Sequence, residues 1–66
     1  MRLIVNGEER ELSGNFSVAG LLEHCGVKAP RVAVELNFTI VPRSEYPTTS
    51  LREGDEIEIV SFVGGG

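Results

Sequence analysis

The chain closes on Ser61-Phe62-Val63-Gly64-Gly65-Gly66, and this is the stretch best suited to chemistry. Glycine has no Cβ and loses more conformational freedom on folding than any other residue, so three in succession after an apolar run neither pack nor stiffen a chain. They make a thread that reaches roughly 10 Å when extended, at about 3.3–3.6 Å per residue, and that enters a channel any side chain would block. With a carboxylate at Gly66 and with Gly64 and Gly65 as its stem, such a thread suits the role of substrate for another protein's deep active site. The same composition also fits an idle chain end or a linker scar. The rest of the chain has to decide between them.

Other chemistry is poorly supported. His24-Cys25 is the only pair with nucleophile character. A cysteine at a helix C-terminus meets the negative end of the dipole, which disfavours the thiolate, and its spacing from Val18, Leu21 and Leu22 reads as a small core residue. His24 has no second ligand near it in sequence and reads as a surface residue. The carboxylates Glu8, Glu9 and Glu11, and later Glu53, Asp55, Glu56 and Glu58, fall on an edge strand and around a turn. Solvated charge that steers a basic partner is a simpler reading of them than a metal site or an acid/base pair. Arg43 and Glu45 read as a local ion pair. No catalytic residue, metal or bound cofactor is therefore expected, and the chain is expected not to be an enzyme.

A chain of 66 residues has room for one domain, and one of this size buries only about 60% of its unfolded surface. Little is left over for an internal cleft. Ten Asp and Glu against six Lys and Arg give a net charge of −4, which repels phosphate backbones and argues against nucleic acid as the partner. The single cysteine excludes an internal disulfide. The apolar run at Met1–Asn6 is too short for a signal peptide and no stretch is long enough to cross a bilayer, so a cytoplasmic protein without a membrane partner is expected.

The elements that must hold the tail follow from periodicity. Met1, Leu3 and Val5 alternate with Arg2, Ile4 and Asn6 as in a half-buried strand, and Asn6-Gly7 is a hairpin turn that returns the chain through the charged edge strand Glu8–Leu12. Ser17 is an N-cap, with Phe16 placed to staple against Leu21. The helix carries Val18, Leu21, Leu22 and Cys25 on one face and stops at Gly26. After the Lys28-Ala29-Pro30 loop, Val32, Val34 and Leu36 mark a third strand, Asn37-Phe38 a turn, and Thr39–Val41 a short strand stopped by Pro42. Glu53-Gly54-Asp55 turns the chain into a last strand that runs from Glu56 to Val63.

One helix between two groups of strands is the α+β arrangement called the β-grasp, a mixed sheet of four to five strands packed on one main helix. Residues 1–63 would form the domain and 64–66 the tail. The first and last strands would lie parallel at the sheet centre, with the helix as their crossover. If Ile57, Ile59 and Val63 face the core, Val60 and Phe62 fall on the opposite face with Ile4 as their neighbour, an exposed apolar patch at the root of the tail that reads as a docking surface.

Val34-Glu35-Leu36-Asn37, Ile40-Val41-Pro42-Arg43-Ser44-Glu45-Tyr46, Leu51, Gly54-Asp55-Glu56-Ile57-Glu58-Ile59-Val60 and the Gly-Gly end together resemble the ThiS-type sulfur carrier proteins of thiamin biosynthesis over nearly the whole chain. Tyr46 stands where relatives often have Trp, and Phe38 occupies a turn position often held by a smaller or polar residue. The resemblance implies a cycle in which an E1-like adenylating enzyme of the ThiF type uses ATP to activate the carboxylate at Gly66. A sulfur donor such as a cysteine desulfurase then gives a thiocarboxylate, which delivers its sulfur to a thiazole synthase of the ThiG type. The Gly-Gly end alone is shared with the molybdopterin-synthase small subunit and with ubiquitin-like modifiers. A carrier for molybdopterin or a sulfur amino acid, a modifier conjugated through Gly66, and a non-covalent interaction module therefore remain as alternatives.

Overall fold

The computed structural model describes residues 1–27 and 31–62. The expected Lys28-Ala29-Pro30 loop, the Val63 end of the last strand and the tail glycines lie outside the described residues. Within them the chain runs β1 (Arg2–Val5), β2 (Glu8–Glu11), α1 (Val18–His24), β3 (Val32–Leu36), β4 (Thr39–Ile40) and β5 (Glu56–Ser61), with a 3-10 turn at Arg43–Glu45 between β4 and β5. The sheet order is β2-β1-β5-β3-β4, with β1 and β5 parallel and the other pairs antiparallel. This is the expected β-grasp: the strand that leads to the glycines lies at the centre of the sheet.

Both hairpins are set by residues that tolerate left-handed backbone. Asn6 and Gly7 have φ of 51° and 82°, and Asn37 and Phe38 have φ of 49° and 70°. Positive φ in both central residues gives a turn whose twist matches that of the flanking strands. Phenylalanine is the odd member, because a left-handed backbone costs a residue with a Cβ about 1–2 kcal/mol.

One face of the sheet is buried by α1. Leu3, Val5, Val34 and Ile57 point into it and meet Val18, Leu21 and Leu22 of the helix, with Tyr46 and Leu51 from the connection before β5 closing the side. The helix has seven residues, too few to be stable alone, so its ends must be satisfied by the fold. At the N-terminus the Ser17 hydroxyl accepts from the Gly20 amide at 3.0 Å, and the Val18 and Ala19 amides donate to the carbonyls of Thr49 and Tyr46, both at 2.9 Å. At the C-terminus Gly26, with φ of 73°, donates to Glu23 at 3.0 Å while Val27 donates to Leu22 at 2.9 Å, the paired bonds of a Schellman ending.

That ending corrects the expectation for Cys25. The helix stops one residue before it, and Cys25 is the exposed C-cap. Val27, beyond the Gly26 reversal, packs partly buried against the core instead. Phe16, the residue expected to staple the helix, packs partly buried against the core. The Phe16 ring lies 3.5 Å from where a Cβ on Gly20 would stand and meets the His24 ring edge-on, with centroids 5.4 Å apart, so it runs along the flank of the helix. The Arg43–Glu45 ion pair does not form among the described residues. Residues two apart on a helical turn point away from each other, and the Glu45 carbonyl instead accepts from Thr48 and Thr49.

Candidate functional site

The residues that bear on the tail are those that hold β5 and those that share its open face. β5 is gripped on both sides. Against β3 it pairs from Leu36↔Ile57 to Val32↔Ser61, and the Phe62 amide donates to the Arg31 carbonyl at 2.8 Å. Against β1 the pairing is short, Ile4↔Glu56 and Val5↔Ile57, because the chain turns away at Asn6-Gly7. The last backbone bond on this side runs from the Asn6 amide to the Ile57 carbonyl at 2.8 Å.

The Asn6 side chain then adds one more rung. Its Oδ1 accepts from the Ile59 amide at 2.7 Å and its Nδ2 donates to the Ile59 carbonyl at 3.3 Å. A carboxamide has the donor and acceptor of a peptide group, so it replaces the strand that has left. Asn37 holds the start of β5 by a different pair of bonds: its Oδ1 accepts from the Glu56 amide at 3.0 Å, and its Nδ2 donates to the Asp55 side chain at Oδ1, 3.1 Å. The two turn asparagines thus fix the tail-bearing strand at either end of its packed section.

The face of β5 away from α1 carries Glu56, Glu58, Val60 and, just past the strand, Phe62. Val60 and Phe62 are 54% and 61% exposed, so the expected apolar patch at the root of the tail is present. Ile4 shares this face, but not this patch. The register sets it beside Glu56, four positions before Val60, or about 13 Å along the strand at about 3.3 Å per residue. Ala33 is the residue opposite Val60. The expectation erred because alternation gives the face of a residue and not its register.

Sequence reasoning also missed a second apolar corner. Phe38 and Ile40 are 79% and 69% exposed, and Ile40 pairs with Glu35, which pairs in turn with Glu58. The open face therefore has apolar groups at three places, Ile4, Phe38 with Ile40, and Val60 with Phe62, around Glu35, Glu56 and Glu58. Strand alternation in Glu35, Thr39 and Ile40 carried the signal, but a two-residue strand is too short to give a period.

No reactive centre is assembled elsewhere among the described residues. Among the described residues no group of three His, Cys, Asp or Glu side chains is placed to hold a metal ion. His24 is exposed and its ring is against Phe16. The carboxylates of β2 lie on the edge strand, where Arg10 pairs with Glu8 at 3.6 Å, while Arg2 of β1 reaches Glu9 and Glu53 at 3.9 Å, all in solvent. On the helix side a groove of about 320 Å³ is lined by Ala19, Leu22, Val27, Tyr46 and Pro47 with Glu23 and Arg43, and it contains no nucleophile. No helix among the described residues is long and apolar enough to cross a membrane. The arrangement leaves an exposed apolar and acidic face beside the strand that precedes the glycines in sequence.

Comparison with known proteins decides the family. The family model described as ThiS family matches residues 3–66. The chain belongs to the ThiS family. It is 40% identical over 62 residues to the sulfur carrier protein ThiS of Thermus thermophilus, a match that takes in 94% of this chain and 95% of that one. The thiamine biosynthesis protein ThiS of Geobacter metallireducens, known from a crystal structure, superposes with a TM-score of 0.86 at 36% identity over the full length of both chains. The chain is also 48% identical over all its 66 residues to a thiazole synthase of Paramagnetospirillum magneticum, of which it spans 20%. A second thiazole synthase, from Magnetococcus marinus, is 39% identical and is likewise spanned over 20% of its length. A domain like this one thus occurs both as a small protein and as one fifth of a larger chain.

Proposed function

We propose that the chain is a sulfur carrier for thiazole formation in thiamin biosynthesis, acting through a carboxylate at Gly66. The observation that carries the reading is the position of β5. The central strand of the sheet, pinned by Asn6 and Asn37, ends at Ser61 beside the exposed Val60 and Phe62, and the sequence from there is Val63 and three glycines. A partner that covers the patch meets the tail at its root. The match of the ThiS family over residues 3–66, which includes the glycines, supports the same reading.

A carboxylate resists nucleophiles until one of its oxygens becomes part of a good leaving group. An E1-like enzyme supplies this by joining the Gly66 carboxylate oxygen to the α-phosphorus of ATP with loss of pyrophosphate. The terminal sulfur of a donor persulfide, such as that of a cysteine desulfurase, then displaces AMP at the acyl carbon to give an acyl disulfide. A thiol reductant cleaves its S–S bond, taking the donor sulfur into a new disulfide and leaving the C–S bond in place of the C–O bond. The thiocarboxylate that results is a soft, ionised nucleophile. Thiazole synthase takes its sulfur. The carrier contributes no catalytic group: Gly64 and Gly65 give passage, and Val60, Phe62 and Ile4 give docking contacts. The thiazole synthases that contain a domain similar to this chain support that enzyme as the partner.

The test is the intact mass of the protein after incubation with an E1-like enzyme, ATP and a sulfur donor. A gain equal to one oxygen replaced by one sulfur is expected, and no gain when Gly66 is deleted. The deletion should melt as the parent does, because every buried core side chain among the described residues lies within residues 3–57, well before Gly66. An unchanged parent mass with an activating enzyme active on another carrier would overturn the proposal.

A further inference from the structure

We propose that Phe38 is a specificity residue of the docking face and that the depression beside it receives an arginine side chain of the thiazole synthase. This rests on the reading of the open sheet face as the docking surface, and it adds a contact and its chemistry.

Phe38 is the most exposed large apolar side chain among the described residues, at 79%. Its backbone is in the left-handed region at φ of 70°, where glycine or asparagine is at ease and a bulky residue is strained. The turn does not ask for phenylalanine and the core does not use the ring. What remains is a contact outside the chain.

Beside it is a depression of about 140 Å³ lined by Gly7, Glu35, Phe38, Glu56 and Glu58. At about 30 Å³ of liquid per water this holds a few waters or the head of one side chain. It is smaller than the ligand pockets of roughly 300–1,000 Å³ that take metabolites. The three ionisable side chains that line it are all carboxylates, and none has an ion-pair partner among the described residues. Closing a neutral surface over them would strip water from unpaired charge, whereas a cation replaces that water. The complementary occupant is therefore basic.

The aromatic wall selects among bases. A guanidinium is planar, stacks on a ring face and pairs side-on with carboxylates, whereas an ammonium is a compact, strongly hydrated point charge. Gly7 also lines the depression and brings no side chain to it. Ile4, paired with Glu56, and Ile40, paired with Glu35, flank the depression with apolar surface that excludes water once a partner is seated.

The experiment is a titration of the full chain against purified thiazole synthase at two salt concentrations, with melting followed in parallel. Phe38→Asn is expected to bind about tenfold more weakly, in the range of a lost cation–π contact, and to melt no lower than the parent because asparagine relieves the turn. Phe38→Trp should bind at least as well as the parent. Glu35→Gln with Glu58→Gln should weaken binding and flatten its salt dependence. Parent-like binding by Phe38→Asn while Phe62→Asp is weakened would overturn this proposal and leave the docking face standing. Parent-like salt dependence in the double glutamine variant would overturn the arginine contact. No loss in either Phe38→Asn or Phe62→Asp, or no binding by the parent, would overturn the docking face as well.

Discussion

Removing the Asn6 side chain should loosen the tail-bearing strand at one identifiable rung. Asn6 contributes two hydrogen bonds to the backbone of Ile59, of 2.7 and 3.3 Å, at a point where β1 has already turned away. A net hydrogen bond is worth about 0.5–1.5 kcal/mol. Both bonds are exposed, so water recovers part of each, and about 1 kcal/mol for the pair is the working figure. Asn6→Gly keeps the φ of 51° at no steric cost and so removes the rung alone, apart from a few tenths of a kcal/mol of added unfolded-state freedom. Asn6→Ala removes the rung and adds about 1–2 kcal/mol for a Cβ in the left-handed region. For a domain of this size 1 kcal/mol shifts the melting temperature by about 4–8 °C. The glycine variant should therefore melt about 4–8 °C below the parent and the alanine variant about twice as far below.

Hydrogen exchange separates the clamp from a general loss of stability. The Ile59 amide should lose protection in Asn6→Gly by more than the global change accounts for, while the Ile57 and Val34 amides should follow the global change. Asn6→Asp keeps the acceptor for the Ile59 amide but sets a carboxylate against the Ile59 carbonyl on a strand that already carries Glu56 and Glu58, so its deficit should shrink as salt is added. A glycine variant that melts within about a degree of the parent, with Ile59 exchange unchanged, would refute the clamp.

Two glycines in and after α1 should respond in opposite directions. Gly26 has φ of 73° and open space around it, so Gly26→Ala should cost only the left-handed penalty of about 1–2 kcal/mol and lower the melting temperature by about 4–16 °C. Gly20 lies within the helix, where a Cβ would meet Ser17 Oγ at 3.4 Å and Phe16 Cδ1 at 3.5 Å, both close to ordinary contact. Gly20→Ala should therefore gain most of the roughly 1 kcal/mol of helix propensity and raise the melting temperature by a few degrees; a fall would show that the Ser17 cap had been displaced.

Local chemistry was legible in the sequence wherever one residue type dictates one backbone. Asn6-Gly7, the Ser17 cap and Gly26 each have a single good use, and together with strand alternation they were enough for the sheet, its crossover and the exposed faces of Val60 and Phe62. Where the outcome depended on length or register, the sequence was silent. Cys25 sits at core spacing from Leu21, yet it is exposed because the helix ends one residue earlier and Val27 fills the place. Ile4 has the right face and the wrong neighbour, because β1 and β5 meet with Ile4 beside Glu56. The roles of Asn6 and Asn37 were half visible: their turns follow from type, but the bonds of their side chains to β5 depend on a strand 53 and 19 positions away respectively.

Exposed Phe38, Ile40, Val60 and Phe62 on a domain of 66 residues raise a problem that the carboxylates resolve. A face with that much apolar surface, if neutral, would pair with its own copies. Glu35, Glu56 and Glu58 lie between the apolar corners, and two copies brought face to face would bury six like charges that have no ion-pair partner among the described residues, whereas a basic partner meets the same groups as counter-charges. On the proposed docking reading one arrangement of acidic residues would serve two ends: opposing self-association of the free domain and making the face selective. Neutralising Glu35 and Glu58 together should then weaken binding to the synthase and also raise the tendency to dimerise, which sedimentation at low salt would detect. Weaker binding with no self-association would assign these carboxylates to the partner alone.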